Sequence, residues 1–457
     1  MQNAITMTST NPSIFKAYDI RGIYPKEINE DTAYTIGRAF VEYFKVKEVA
    51  VGYDMRISSP SLWEALTQGI ADAGALIINL GMIGTELMFF AVGKFNFESG
   101  IMITSSHNPA EYNGLKLVTK GPIPVGADTG IYDFRDYVTK QNYKMLKKDL
   151  EVRDLDPYAQ FREAIHELVN LHNLPNLKVV VDAGNGMGGE MMSRIFSNTN
   201  LEIIPMYFEP DGTFPNHEAN PTKEENVAEL KKRVVEEKAD FGVALDGDGD
   251  RAFFVDEKGE YSLGYFMVGI LAKKILQKYP KSKIVHETRL KWAIEDSIRE
   301  AGGIAVPYIA GHAYLKAKMR EIGAVFSGET SSHFFYKDLY FADSSMLTIA
   351  LLLELMKDTG KSLHQLLAEY KAKYFISGEI NYEVDNANAV LEKVKKHYQA
   401  KGFEIDELDG VSVDKGREWR FSLRKSNTEP VVRLNIEANS QKLVGEKLKE
   451  VKKIIKA

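Results

Sequence analysis

The chain has no cysteine, which excludes disulfides, thiolate metal sites and thiol catalysis, and fits a cytoplasmic location. Basic blocks are missing too. Lys plus Arg number 58 against 64 Asp plus Glu, a net charge of -6, so nothing offsets the polyanionic charge of nucleic acid and none is expected as a partner. Long apolar runs are also absent. The most apolar later stretch, Met346 to Met356, is followed at once by Lys357 and Asp358; it is far shorter than a bilayer span and reads as a buried helix, with no membrane expected. The start, Met1 to Ser13, is polar and Thr-rich, with neither the basic start nor the apolar run of an export signal. No fixed short-period repeat is present.

What is present is an ordinary globular composition, 44% hydrophobic and 27% charged over 457 residues. That length exceeds one compact core and predicts roughly three or four domains. Short apolar runs at Val49 to Val51, Leu76 to Leu80 and Ile101 to Ile103 alternate with amphipathic stretches such as Leu62 to Ala73, a β-α-β rhythm. After the polar region Gln141 to Asp156 the rhythm restarts at Lys178 to Val181 and closes with Phe241 to Leu245. A third alternation runs through Ile284, Ile304 to Tyr308 and Ala324 to Phe326. Beyond Leu367 the texture changes. Strand-like segments at Ile376 to Tyr382, Val411 to Val413, Trp419 to Leu423 and Val431 to Ile436 mix with helical stretches at Ala387 to Gln399 and Gln441 to Ile455. The predicted fold is therefore α/β: three similar α/β domains at residues 1–150, 151–255 and 256–368, then a smaller α+β domain at 369–457.

Four loops carry chemistry. Thr104-Ser105-Ser106-His107-Asn108-Pro109 follows the strand Gly100 to Ile103 and sets Ser106 on a strand-end loop. Alone, such a serine is more often a turn cap than a nucleophile. A hydrolase triad is disfavoured, since the G-x-S-x-G elbow is missing and His107 is the immediate neighbour of Ser106. In Asp246-Gly247-Asp248-Gly249-Asp250-Arg251, alternating carboxylates separated by glycines suit one hard cation with an open position for a phosphate oxygen. The rival reading is an EF-hand, with Asp246, Asp248, Asp250 and Glu257 at loop positions one, three, five and twelve. Arg251 stands where that loop requires glycine, and strand-like flanks replace the helices.

The third loop, Ser327-Gly328-Glu329-Thr330-Ser331-Ser332-His333, alternates Glu329, Ser331 and His333; in an extended loop these would face one side and read the hydroxyls of a sugar. A polar hairpin explains the same letters. The fourth, Arg424-Lys425-Ser426-Asn427-Thr428-Glu429-Pro430, offers a guanidinium, hydroxyls, an amide and backbone N–H groups to a phosphate dianion. An ordinary turn ended by proline explains Ser426 and Asn427, but not Arg424 as well.

In this order and spacing the four loops resemble the α-D-phosphohexomutase superfamily over essentially the whole chain. Phe15-Lys16-Ala17-Tyr18-Asp19-Ile20-Arg21-Gly22 and Gly52-Tyr53-Asp54-Met55-Arg56-Ile57-Ser58-Ser59 are similar to further family signatures. The resemblance implies three mixed-sheet α/β domains and a smaller fourth domain around a central cleft. It implies a phosphoserine at Ser106, with Mg2+ held by that phosphate and by Asp246, Asp248 and Asp250. A hexose 1,6-bisphosphate would serve as intermediate and activator while sugar 1-phosphate and 6-phosphate interconvert. Arg21, Lys116 and Arg251 would supply positive charge, Lys116 also assisting proton transfer, and His107 would contact phosphate or orient its loop. Tyr18, His286, His312, Glu329, Ser331, His333, Arg424, Ser426, Asn427 and Thr428 are the expected substrate contacts.

Ser426-Asn427-Thr428-Glu429-Pro430 resembles the phosphomannomutase/phosphoglucomutase branch, where the phosphoglucosamine branch usually has glycine in place of Asn427. That points to mannose or glucose phosphates as the small-molecule partners. Thr330-Ser331-Ser332 and His286 depart from the branch's usual Met-Ser-Gly and lysine. The letters do not fix the preferred sugar or choose between monomer and dimer.

Overall fold

A computed structural model describes residues 10–426 and 430–456. The described chain forms two compact units, one from residues up to Tyr261 together with Phe335–Gly360, the other from Ser262–Phe334 together with residues from Lys361 onward.

Unit one holds two sheets. The first runs in the order Ile20–Ile23, Tyr112–Thr119, Ser99–Ile103, Glu48–Tyr53, Leu76–Met82, Val152–Asp154. Its centre is parallel and largely apolar, while Tyr112–Thr119 pairs antiparallel with both Ser99–Ile103 and Ile20–Ile23, so the sheet is mixed. The region Gln141 to Asp156, polar enough to read as a linker, carries the strand Val152–Asp154, which pairs with Ile77 to Asn79. Backbone pairing at a sheet edge needs no apolar side chains, and all three residues of that strand are exposed.

The second sheet centres on Phe241–Leu245, parallel to Lys178–Asp182 and antiparallel to Ala252–Asp256. The helix Ser345–Thr359 also belongs to unit one; Met346, Leu347, Ile349 and Leu352 are buried, as a helix apolar all round requires. Among the described residues no helix is long and apolar enough to cross a membrane.

In unit two, Lys283–Glu287 lies between the parallel strands Ile304–Tyr308 and Phe326–Gly328. The last begins two residues later than the apolar letters predict: Ala324 N is taken by Met319 O at the end of the preceding helix, and pairing starts with Val325 N on Lys283 O at 3.1 Å. The strand extends to Gly328, opposite His286. An antiparallel sheet follows, with Val431–Ala438 paired to Trp419–Lys425 on one side and to Phe375–Ile376 and Ile380–Glu383 on the other. The single strand predicted over Ile376 to Tyr382 is thus two, broken at Gly378, whose φ of 67° is left-handed. Helices Ala387–Ala400 and Gln441–Lys456 belong to the same domain, whose core gathers Trp419, Phe421, Tyr398 and Val451. The helix Leu363–Lys373 runs through residue 368, where the change of texture places a boundary.

Candidate active site

In unit one the buried strand Ser99–Ile103 delivers the chain into the Ser106 loop. Ser106 takes φ of 49°, an uncommon conformation for a residue with a Cβ that persists only where the surroundings hold it. Arg56 does much of that holding. Buried beside Asp54, its guanidinium donates to the carbonyls of Ser106 at 2.8 Å, Asn108 at 2.7 Å, Pro109 at 2.7 Å and Tyr112 at 2.9 Å. From the edge strand Ile20–Ile23, Arg21 donates to Asn108 Oδ1 at 2.5 Å and to Asp19 at 2.8 Å. Tyr18 is half-buried just ahead of that strand.

The aspartate loop joins the antiparallel strands Phe241–Leu245 and Ala252–Asp256. Helical flanks are thereby excluded, and with them the EF-hand reading. The loop meets the serine directly: Ser106 Oγ donates to Asp246 Oδ2 at 2.9 Å, and Arg251 Nη2 donates to Ser106 Oγ at 3.0 Å. Arg251 Nε also holds Asp246 Oδ2 at 2.8 Å, and its guanidinium abuts His107 Nδ1, itself 3.2 Å from Ser106 Oγ. Lys116, on the strand Tyr112–Thr119, bridges Asp248 and Asp250 at 2.7 Å each. Burial works against its ammonium, but the two carboxylates hold the pKa above the ordinary lysine value. Burial, with Asp250 and Asp248 adding, pushes Asp246 up to about 6 against the pull of Arg251.

One carboxylate oxygen each from Asp246, Asp248 and Asp250 lies within 4.8 Å of the others. Asp248 Oδ1 is buried with no hydrogen-bond partner among the described residues. An all-oxygen donor set with an unused buried oxygen fits a hard divalent cation. Thr85, at the start of the helix Thr85–Lys94, fixes the loop from outside: its Oγ1 donates to Asp248 Oδ2 at 2.5 Å and its N to Asp248 O at 3.0 Å. Nothing in the local letters marks Thr85, because its partner is 163 residues away.

Unit two brings together the expected sugar readers. Glu329, Ser331 and His333 do not share a face of an extended loop. Glu329 N bonds His333 O at 2.9 Å and Ser332 N bonds Glu329 O at 3.0 Å, a tight turn with Ser332 at φ 63°. The turn still converges the side chains: His333 Nδ1 is 3.3 Å from both Glu329 and Ser331 Oγ. His312, first residue of the helix His312–Ile322, stacks its ring 5.9 Å from that of His333.

His286 departs from expectation. It is wholly buried within the strand Lys283–Glu287, its Nδ1 against Glu287 O at 2.9 Å, and burial lowers its pKa to about 4. Its Nε2 is buried with no hydrogen-bond partner among the described residues, and Glu287 and Arg289 follow it at the end of the strand. Glu287 accepts from Thr330 N at 2.7 Å, and from Arg289 Nε at 2.5 Å. Arg424 is largely buried; Ser426 Oγ accepts from Arg433 at 3.3 Å. Asn427 and Thr428 lie outside the described residues. Glu287, Arg289, Glu379 and Arg433 were not singled out in the sequence, although the Glu-x-Arg spacing after a strand marks the first two.

Models of the phosphoglucomutase/phosphomannomutase family match the chain four times in succession: alpha/beta/alpha domain I over residues 12–141, domain II over 156–259, domain III over 263–374 and the C-terminal domain over 379–454. A protein named for phosphohexose mutases from Xanthomonas campestris pv. campestris is 41% identical over 423 residues, covering 93% of this chain and 94% of its own. A phosphomannomutase of Salmonella montevideo is 38% identical over 453 residues, covering 97% and 99%. The crystal structure of a phosphoglucomutase/phosphomannomutase family protein from Burkholderia thailandensis superimposes with a TM-score of 0.86 at 31% identity, covering 98% of each chain.

Proposed function

The chain belongs to the phosphoglucomutase/phosphomannomutase family and is a phosphohexomutase, and from that premise we propose that it interconverts the 1- and 6-phosphates of mannose, glucose or both. The route is a phosphorylated Ser106 and a hexose 1,6-bisphosphate. The observation that carries this reading is the setting of Ser106 Oγ, 2.9 Å from Asp246 and 3.0 Å from Arg251, with a cation-ready carboxylate cluster around it.

A sugar hydroxyl oxygen attacks the phosphorus of phospho-Ser106, the P–Oγ bond breaks, and the bisphosphate forms. The intermediate turns over and returns its other phosphoryl group to Oγ. Such transfers depend on positioning and charge neutralisation. Arg251 meets the serine oxygen as the P–O bond breaks, Arg21 and His107 are the groups we assign to the phosphoryl oxygens, and Arg56 keeps the loop in its left-handed turn. Mg2+, held by Asp246, Asp248, Asp250 and a phosphate oxygen on Ser106, would supply Lewis-acid charge withdrawal when bound. We assign Lys116 the relay of the proton: an ammonium between Asp248 and Asp250, it gives a proton to Oγ as the P–Oγ bond breaks and takes up the one the attacking hydroxyl releases. Glu329, Ser331, His333 and His312 read the sugar hydroxyls. Arg424, Ser426, Asn427 and Thr428 hold the phosphate that is not reacting, and Tyr18 contacts the substrate.

The test is conversion of mannose 1-phosphate, glucose 1-phosphate and glucosamine 6-phosphate by purified protein with Mg2+ and a bisphosphate activator. Turnover of glucosamine 6-phosphate alone would assign the chain to phosphoglucosamine mutase chemistry instead. Ser106→Ala should lower turnover by at least about 10^4-fold, as loss of a covalent nucleophile does, and should abolish the phosphoryl adduct in intact-mass spectra. Near-normal activity in that variant would eliminate the phosphoserine route.

A further inference from the structure

Three arginines of unit two share an anion. Arg289 Nη1 lies 3.2 Å from Glu379 Oε2, Arg424 Nη2 lies 3.6 Å from the same oxygen, and Arg433 Nη1 lies 2.9 Å from Oε1. The three come from separate elements. Arg289 follows the strand Lys283–Glu287, while Arg424 and Arg433 stand directly opposite each other in the pair Trp419–Lys425 and Val431–Ala438. Like charges directly opposed across a strand pair destabilise it, so this arrangement needs a counter-charge. Glu379 provides one from the break between Phe375–Ile376 and Ile380–Glu383, just after the left-handed Gly378. Its side chain is 25% exposed, dry enough for the attraction to count and wet enough for an exchange of partners.

Two further carboxylates border the cluster: Glu287 shares Arg289 and also accepts from Thr330 N, and Glu329 is held by His333. Burial and then Arg289 lower the pKa of Arg424, and Glu379 is held below the usual carboxylate range because its three arginines outweigh its burial. Arg424 Nε is buried with no hydrogen-bond partner among the described residues, and Arg433 reaches Ser426 Oγ at 3.3 Å. The cluster thus has the donors of an anion site and continues into the loop assigned to phosphate.

We propose that Glu379 is an internal stand-in for the substrate phosphate. It holds Arg289, Arg424 and Arg433 together, yields Arg424 and Arg433 when a phosphate group arrives, and so sets the affinity of the clamp. This rests on the reading of the Arg424 to Thr428 loop as a phosphate clamp. A phosphate dianion brings more charge and three acceptor oxygens against the carboxylate's two, so it wins the exchange where a singly charged anion does not. Glu379 is therefore a specificity-determining residue that makes weak anions compete with a tethered one.

The experiment is calorimetric titration of the full chain, without Mg2+, with inorganic phosphate. Glu379→Gln should bind phosphate about tenfold more tightly than wild type, the low end of what removing a like charge from such a site gives. Glu379→Asp, which keeps the charge, should stay within about threefold of wild type. Arg424→Met should lose the binding, which locates it at the clamp. If Arg424→Met abolishes binding while Glu379→Gln binds no more tightly than wild type, or if Glu379→Asp matches Glu379→Gln, the stand-in proposal is overturned and the clamp reading survives. If Arg424→Met binds phosphate as wild type does, the clamp reading itself fails. Thermal unfolding of each variant separates lost binding from lost fold.

Discussion

A β-carbon placed on Gly247 would stand 2.4 Å from the carbonyl oxygen of Ser106. The two loops of unit one therefore meet backbone to backbone, and the close approach lets Asp246 reach Ser106 Oγ at 2.9 Å. Glycine is required here by space, not by φ.

Gly247→Ala should accordingly separate the loops. The obstruction is a carbonyl, which cannot rotate away as a flexible side-chain end would, so the backbone must shift. A displacement of about 1 Å at reacting groups costs on the order of 10^2-fold in rate. The expected outcome is a fall in kcat of that order with a thermal unfolding curve close to wild type. Full activity in the alanine variant would show that the contact between the loops is not needed.

The sequence made the aspartate loop readable because its chemistry is contiguous: three carboxylates, two glycines and an arginine within six residues. Ser106 needed the other loops, since its left-handed turn is imposed by Arg56, which is 50 residues away. The fold class followed from the apolar rhythm. Val152–Asp154 escaped because an exposed edge strand leaves no apolar signature. His286, named from the family position where many members have a lysine, is buried between parallel neighbours on both sides, a placement that the letters around it do not reveal. Glu329, Ser331 and His333 alternate in the sequence yet converge through a tight turn, a conformation fixed by two backbone hydrogen bonds that the letters do not encode.

Thr85 yields a prediction about metal affinity. Its hydroxyl donates to Asp248 Oδ2 at 2.5 Å, and Lys116 Nζ stands 3.4 Å from the same hydroxyl. Hydrogen bonds of this kind orient a carboxylate for a cation, and their loss typically weakens metal binding by about 10- to 100-fold. Thr85→Val preserves shape and removes the donor. The Mg2+ concentration giving half-maximal activity should rise within that range, with activity recovered at saturating Mg2+. Thr85→Ser should stay near wild type. An unchanged Mg2+ dependence in the valine variant would remove Thr85 from any such role.

Stability should respond to pH through His217. Its Nε2 lies 3.0 Å from Asp182 Oδ2 and its Nδ1 lies 2.9 Å from Glu218 O, while Asp182 Oδ1 accepts from Gly184 N at 2.9 Å. Burial opposes the imidazolium, but the bond to Asp182 outweighs it and raises the pKa above the ordinary 6.5. A folded-state pKa above the unfolded value means that folding takes up a proton. The resulting stability is fully present below about 6.5 and is lost as pH rises through the folded value. Replacing His217 with Gln should therefore lower the urea midpoint most near about pH 5.5, and the gap to wild type should narrow toward about pH 9. A gap that is constant across this range, or that widens toward high pH, would show that the imidazolium and Asp182 do not form the stabilising pair.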